Sequence, residues 1–257
     1  MIALKFQQAA EILVQRRLRN EIGDRLPVEL RPQSNEQALK IQRVQMEHMT
    51  RNHLDTVGGW KCCLPFDGNY VVAPLFSRTI HHHSPCPIQL DQGVCKIEPE
   101  IAFRFKDSLP SGRKAYSEQE VMDALEGAYM ALELIQDRYH SYEEVPFLEH
   151  LADNLLNQGV FIGPELPLKK VLKASKIKFN ITLDDSVQSD IKGKHPNQLP
   201  QTPLLWLVNY LNRSGQGIQA GQEVITGSYA GVLTVKEKED FTIEYKGLGS
   251  MTLRFNE

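Results

Sequence analysis

Lys96-Ile97-Glu98-Pro99-Glu100-Ile101-Ala102-Phe103-Arg104-Phe105 is the stretch on which the reading of the whole chain turns. As an extended strand it sends Glu98 and Glu100 to one face and Ile97, Ile101 and Phe103 to the other, because side chains alternate along a strand. Two neighbouring carboxylates repel unless they are solvated, share a proton or hold a cation, and hard oxygen donors favour Mg²⁺, Mn²⁺ or Ca²⁺ over thiophilic metals. The competing reading is the wet face of an edge strand, which Pro99 suits because proline tolerates edges and bulges. Glu133 bears on that choice. It stands alone in Tyr129-Met130-Ala131-Leu132-Glu133-Leu134-Ile135, where a strand would be buried, and a buried carboxylate needs a partner. A cation shared with Glu98 and Glu100 would supply one; so would a lysine or arginine elsewhere.

Outward from this stretch the texture divides the chain. Phe6, Ala9, Ala10, Leu13, Val14 and Leu18 recur at helical spacing, and Ser34 with Gln37 resembles a capping box that opens a second helix through Ala38, Ile41, Val44 and Met49. Residues 1–55 are therefore expected to form an N-terminal helical portion and residues 56–257 a sheet-rich domain, either as two parts or as one continuous domain. Short β-type runs follow in GWKCCL, YVVAPLF and KIEPEIAFRF. Ser117 with Glu120 forms another capping box, and Val121, Leu125, Ala128 and Tyr129 continue it as a helical stripe before a buried strand. Strands are expected near 159–162 and 177–183, a helix over 204–211 ending at Gly215, and strands in EVITG, GVLTV, FTIEY and MTLRF, with KGLGS turning the last hairpin. The polar segment 184–200 reads as a long mobile loop or lid, with His195 a conceivable general acid on it.

With 257 residues, 29 Lys and Arg against 32 Asp and Glu, and a formal charge of −3, nothing recruits nucleic acid or an anionic membrane in bulk. The N-terminal run is interrupted by Lys5, Gln7 and Gln8 and so lacks the unbroken apolar core of a signal peptide, and no stretch approaches a membrane span; a cytoplasmic location is expected. Cys62, Cys63, Cys86 and Cys95 lack zinc-like spacing and read as reduced thiols. His81-His82-His83 cannot all meet one ion from a strand and read as a polar loop. Asp137 and Arg138 read as a structural ion pair.

The order of segments resembles the 2-keto-4-pentenoate hydratase branch of the fumarylacetoacetate hydrolase superfamily, which also holds the 4-oxalocrotonate decarboxylases. The matching stretches are GWKCCL at 59–64, KIEPEIAFRF at 96–105, ALELIQDRY at 131–139, LADNLLNQGVFIGP at 151–164 and GQGIQAGQEVITGS at 215–228. This resemblance implies an α+β fold, a mixed rolled β-sandwich with flanking helices and an N-terminal helical portion. It implies a Mg²⁺ or Mn²⁺ ion held by residues matching Glu98, Glu100 and Glu133, whose open positions a 2-oxo acid fills, so that an enolate is stabilised. Lys61 matches the family's lysine and is expected to neutralise the substrate carboxylate or shuttle a proton. Thr226, Gly227 and Ser228 match a small-residue turn expected to grip a carboxylate. The partner is then a small-molecule 2-oxo acid, and a homo-oligomer is suggested.

Several positions depart from the hydratases. Pro65 and Phe66 replace hydroxyl residues after Leu64, Arg78 stands where an acid is usual, and Leu155-Leu156 follow Asp153-Asn154 where Ala-Ser is common. The metal set is kept while the proton-handling groups differ. An Arg78 guanidinium at the far end of the pocket would favour a second substrate carboxylate. Three outcomes stay open: hydration of 2-hydroxypenta-2,4-dienoate, decarboxylation of a dicarboxylic 2-oxo acid, or a non-catalytic relative serving as binding module or partner subunit.

Overall fold

The computed structural model describes residues 2–91, 93–183 and 186–257. Two helices open the chain, α1 (Ile2–Arg19) and α2 (Asn35–Arg51). The Ser34 hydroxyl accepts the Gln37 N–H at 3.3 Å, while the Gln37 side chain reaches back to the Gln33 N–H. The strands that follow are β1 (Val57–Phe66), β2 (Asn69–Phe76), β3 (Ile80–His81), β4 (Cys86–Pro87), β5 (Cys95–Phe105) and β6 (Leu125–Ile135), with α3 (Glu118–Asp123) between the last two. Then come α4 (Phe147–Ala152), β7 (Asn157–Leu166), α5 (Leu168–Val171), β8 (Lys176–Leu183), β9 (Ser186–Lys194) and α6 (Gln201–Ser214). The chain finishes through β10 (Glu223–Ile225), β11 (Leu233–Val235), β12 (Asp240–Tyr245) and β13 (Gly249–Asn256).

The larger, mixed sheet runs β2-β1-β10-β5-β6-β7-β3, with β11 also paired to β5, and the smaller runs β4-β13-β12-β8-β9. Ile97, Ile101, Phe103 and Met130 from the large sheet pack with Phe179, Phe241, Ile243 and Tyr245 from the small one in the main core. The Tyr245 hydroxyl donates to the Ala131 carbonyl at 2.8 Å, with the Glu100 carbonyl 3.1 Å away, tying the layers together beneath the acidic residues. On its other face the large sheet curls around Leu75, Ala102, Ala131, Val160, Ile162 and Ile225. The α+β rolled sandwich expected from the sequence is thus the observed architecture. The N-terminal helices share a further core with Tyr139, Leu151 and Ala152, so α1 and α2 are packed onto the sheet domain. Among the described residues no helix is long and apolar enough to cross a membrane.

Three expectations are corrected. The helix after Ser117 ends at Asp123, and the stripe through Leu125, Ala128 and Tyr129 belongs to β6. Nearly every residue of that strand is buried, so it shows no period-2 alternation to distinguish it from a helix. The segment 184–200 is mostly not a loop: Ser186–Lys194 is an antiparallel partner of β8 at the end of its sheet, where an edge strand tolerates polar residues. Asp184 and Asp185 lie outside the described residues. Arg138 pairs with Asp153, its Nε 3.0 Å from Oδ2, rather than with Asp137.

Candidate metal and substrate site

In the antiparallel ladder between β5 and β6, Glu98 stands opposite Glu133 and Glu100 opposite Ala131, which puts the three carboxylates on the concave face. One oxygen from each lies within 4.8 Å of the other two, the one such cluster of potential ligands among the described residues. Ligand oxygens about 2.1–2.5 Å from a single cation are roughly 3–5 Å apart, so the spacing suits a hard divalent ion. Glu100 and Glu133 are buried and Glu98 is half-buried.

Pro99 lies in a central strand, not at an edge. Its carbonyl accepts the Tyr229 N–H at 3.1 Å, in the gap between β11, which pairs at Lys96 and Ile97, and β10, which pairs from Ala102. A residue's N and C=O point to the same side of a strand, so the donor that proline lacks falls in this break, where no ladder bond is required. The segment Thr226–Tyr229 fills the break and brings the Gly227 N–H to 2.6 Å from Glu100 Oε2. Gly227 has φ +117°, and a Cβ there would meet Cys63 Sγ at 2.8 Å and Pro196 at 2.9 Å. The turn therefore requires glycine. Thr226 is fully buried and its hydroxyl has no hydrogen-bond partner. The Ser228 hydroxyl donates within the turn to the Gly231 carbonyl at 3.3 Å.

Lys61, on β1, extends its ammonium to Glu133 Oε1 at 2.5 Å and to the Leu155 carbonyl at 3.0 Å. Asn157 Nδ2 donates to the same Glu133 oxygen at 2.9 Å, while Glu133 Oε2 is buried without a partner. Burial works to discharge Lys61, but the charges of Glu133 and Glu98 outweigh it and hold the ammonium above the ordinary lysine value. Burial, and next the charge of Glu133, pushes Glu98 up to about 7 against the pull of Lys61. The same two causes, with Glu98 added, raise Glu100 well above the carboxylate range despite the Gly227 N–H. Crowded acids that resist ionisation together are relieved by a divalent cation. The buried, unpartnered Glu133 oxygen and the all-oxygen donor set fit a Mg²⁺ or Mn²⁺ ion.

Arg78 is exposed in a 3-10 turn after β2, and its main-chain N–H donates to the Asp55 carboxylate at 3.1 Å. The structure does not bring it into the cluster. His195 is buried, not carried on an exposed lid; its Nδ1 accepts the Asn197 N–H at 3.1 Å, and burial lowers its value to about 4, so the ring is neutral. All four cysteines are free, and burial pushes the Cys63 thiol, which neighbours the acids, up to about 12.

Sequence reasoning missed Asn157 and the scaffold behind it. Arg138 Nη1 donates to the Asn157 carbonyl at 3.1 Å and Arg17 Nη2, from α1, to the same oxygen at 2.6 Å. Between Asp153 and Asn157 three consecutive non-glycine residues, Asn154, Leu155 and Leu156, have φ of 62°, 52° and 63°. Such a run costs energy at each residue and persists only when its surroundings fix it. Arg138, bound at once to Asp153 and Asn157, fixes both ends. The signal available was Asp153-Asn154 together with an arginine at the end of a buried strand, which does not by itself reveal a left-handed turn.

Beyond Glu98 and Glu133 on the same sheet face, Lys96 and Ile135 stand opposite one another and line a cavity of about 650 Å³ together with Leu156 and Val232. Two residues of strand span about 7 Å, so this cavity adjoins the carboxylates.

Fold and site together define an α+β rolled-sheet protein with a three-carboxylate centre of two buried acids and one half-buried acid. No family model matches the chain. It is 26% identical over 162 residues to 2-keto-4-pentenoate hydratase 2 of Dechloromonas aromatica (strain RCB), an alignment covering 62% of this chain and 60% of that protein. The chain thus matches about 60% of the length of this curated relative. The structure of 4-oxalocrotonate decarboxylase from Pseudomonas putida G7, complexed with magnesium and adipate, superposes with a TM-score of 0.79 at 19% identity, over 99% of this chain and 98% of that one. A fumarylacetoacetate hydrolase family protein from Yersinia pestis CO92 shares the fold over 79% of this chain and 94% of its own, with a TM-score of 0.54 at 19% identity. The chain is thus similar in sequence to 2-keto-4-pentenoate hydratases, and it shares its fold with 4-oxalocrotonate decarboxylase and with fumarylacetoacetate hydrolase family proteins.

Proposed function

We propose that this protein is a divalent-metal-dependent lyase acting on a 2-oxo acid, with hydration of 2-hydroxypenta-2,4-dienoate as the leading reaction. The observation that carries the reading is Glu133: Lys61 and Asn157 occupy one of its oxygens, and the other is buried, unpartnered and close to the oxygens of Glu98 and Glu100. Glu98, Glu100 and Glu133 would hold Mg²⁺ or Mn²⁺. When bound, the ion supplies Lewis-acid polarisation of a 2-oxo acid carbonyl and charge for its enolate.

The chain's own groups do the rest. Lys61, kept protonated beside Glu133 and Glu98, holds the substrate carboxylate, delivers a proton from Nζ to the terminal carbon of the dienol, and regains the proton that the enol O–H releases as the keto form appears. Thr226 offers a buried, unpartnered hydroxyl to the same carboxylate; Gly227 lets the backbone approach and orients Glu100; Ser228 closes their turn. Leu156 lines the adjoining cavity where a polar group would be needed to activate water, and this favours a second reading, decarboxylation, which needs no water. A cytoplasmic homo-oligomer completes the proposal, checked by light scattering on the purified protein.

Mg²⁺-loaded protein should be offered 2-hydroxypenta-2,4-dienoate and 2-oxo-3-hexenedioate while dienol absorbance and CO₂ are followed. Loss of the dienol without CO₂ is the expected result. CO₂ from the second compound alone selects the decarboxylase reading. Silence on both, with Mg²⁺ still bound, makes the protein a binding module and overturns the catalytic proposal.

A further inference from the structure

The cavity beside the carboxylates has a charge pattern of its own. Its ionisable lining comprises Asp91, Asp137, Glu143 and Glu144 against the single cation Lys96, and Arg78 is not part of it. Lys96 is already engaged, its Nζ 3.1 Å from the Oδ2 of the buried Asp91. Asp137 is turned back onto the chain, accepting the Tyr139 N–H at 3.1 Å. Glu143 and Glu144, exposed in the 3-10 turn Tyr142–Glu144, add two further negative charges to the lining, and no arginine of the described residues lines the cavity to offset them. Ile135, Leu156 and Val232 supply the apolar part of the wall, and the volume, about 650 Å³, exceeds the needs of a five-carbon acid. The ligand end of the site is marked independently by the buried, unpartnered oxygen of Glu133, two residues along the same sheet face from Ile135.

We infer that the substrate is a monocarboxylic 2-oxo acid with an uncharged tail, and that Glu143 and Glu144 are specificity-determining residues that reject a second carboxylate; this rests on the 2-oxo acid reading proposed above. A carboxylate at the tail would enter a wall of like charge with no free cation to receive it, whereas a methyl, alkenyl or hydroxyl end meets apolar carbons and neutral polar groups. The dicarboxylic alternative, and with it decarboxylation of such a substrate, is disfavoured by the same wall.

The test uses two six-carbon ligands that differ only at the far end, 2-oxohexanoate and 2-oxoadipate, titrated calorimetrically into the Mg²⁺-loaded full-length protein, wild type and Glu143→Gln/Glu144→Gln. Wild type should bind 2-oxohexanoate at least about tenfold more tightly, and the double variant should close most of that gap by tightening 2-oxoadipate alone. Equal or tighter binding of 2-oxoadipate by wild type overturns the inference, as does an unchanged ratio in the double variant. So does a ratio that moves instead with Arg78→Ala. Failure of both ligands, and of oxalate, to bind the Mg²⁺-loaded protein removes the 2-oxo acid reading itself, an outcome distinct from binding with the wrong preference.

Discussion

At the scale of single residues, the oxygen of Glu133 shared by Lys61 and Asn157 sets the electrostatics of the site. Lys61 is a cation beside three acids, so it both orients Glu133 and competes with a metal for its charge. Lys61→Met is expected to bind Mg²⁺ as tightly as wild type or a few-fold tighter, while turnover falls by about a hundredfold or more through loss of the proton donor. Calorimetric Mg²⁺ titration beside a turnover assay separates the two effects, and a large loss of Mg²⁺ affinity would contradict this arrangement. Asn157→Leu removes a donor from Glu133 and another from the Gly159 carbonyl, 3.1 Å away. A loss of about 1–3 kcal/mol in unfolding free energy is expected, with weaker Mg²⁺ binding. Denaturant unfolding checks the first. The two residues differ in how visible they were. Glu98, Glu100 and Glu133 announced themselves as charges among apolar neighbours, and Lys61 through its resemblance to a family element. Asn157, an ordinary polar residue after Leu155-Leu156, gains its position only from a left-handed turn held by Arg17 and Arg138, contacts 140 and 19 residues distant in sequence.

At the scale of elements, the site depends on an interruption. β10 and β11 each pair with β5, and the break between them over Pro99 admits the turn that presents Thr226 and the Gly227 N–H to Glu100. Gly227→Ala forces a Cβ into Cys63 and Pro196 at a φ that alanine resists, and destabilisation of about 1–3 kcal/mol is expected with weakened Mg²⁺ binding. Thermal unfolding with and without Mg²⁺ measures both; an unaltered Mg²⁺ response would detach this turn from the carboxylates. The sequence showed a small-residue turn there, and it showed Pro99, but it suggested an edge strand. A proline in a central strand is legible only once a sheet break is known. Likewise β9, polar because one edge faces solvent, imitated a loop, and β6, buried on both faces, lent its first residues to a false helix.

At the scale of the whole molecule, folding brings three acids together at the junction of β5 and β6, and their mutual repulsion makes stability depend on pH and metal in linked ways. Glu98 at about 7 and Glu100, raised well above its ordinary value, bind protons more tightly folded than unfolded. Their contribution to the metal-free fold is therefore fully present below the unfolded value near 4.5 and is lost as pH rises through the folded values, about 7 for Glu98. His195 has the opposite sign: with a folded value of about 4, its contribution is present above the unfolded value of 6.5 and is lost as pH falls. Comparison with Glu98→Gln/Glu100→Gln isolates the acids from the histidine. In EDTA, the two proteins should melt nearly alike around pH 5, and the variant should melt higher around pH 8, where wild type carries ionised, crowded carboxylates. Saturating Mg²⁺ should reverse the order at the higher pH, because a ligand at a hundred times its Kd stabilises by about 2.7 kcal/mol and the variant has lost two of its three ligands. A variant that melts below wild type in EDTA near pH 8 would mean that the protein satisfies these carboxylates on its own, and the site would have no need of an ion.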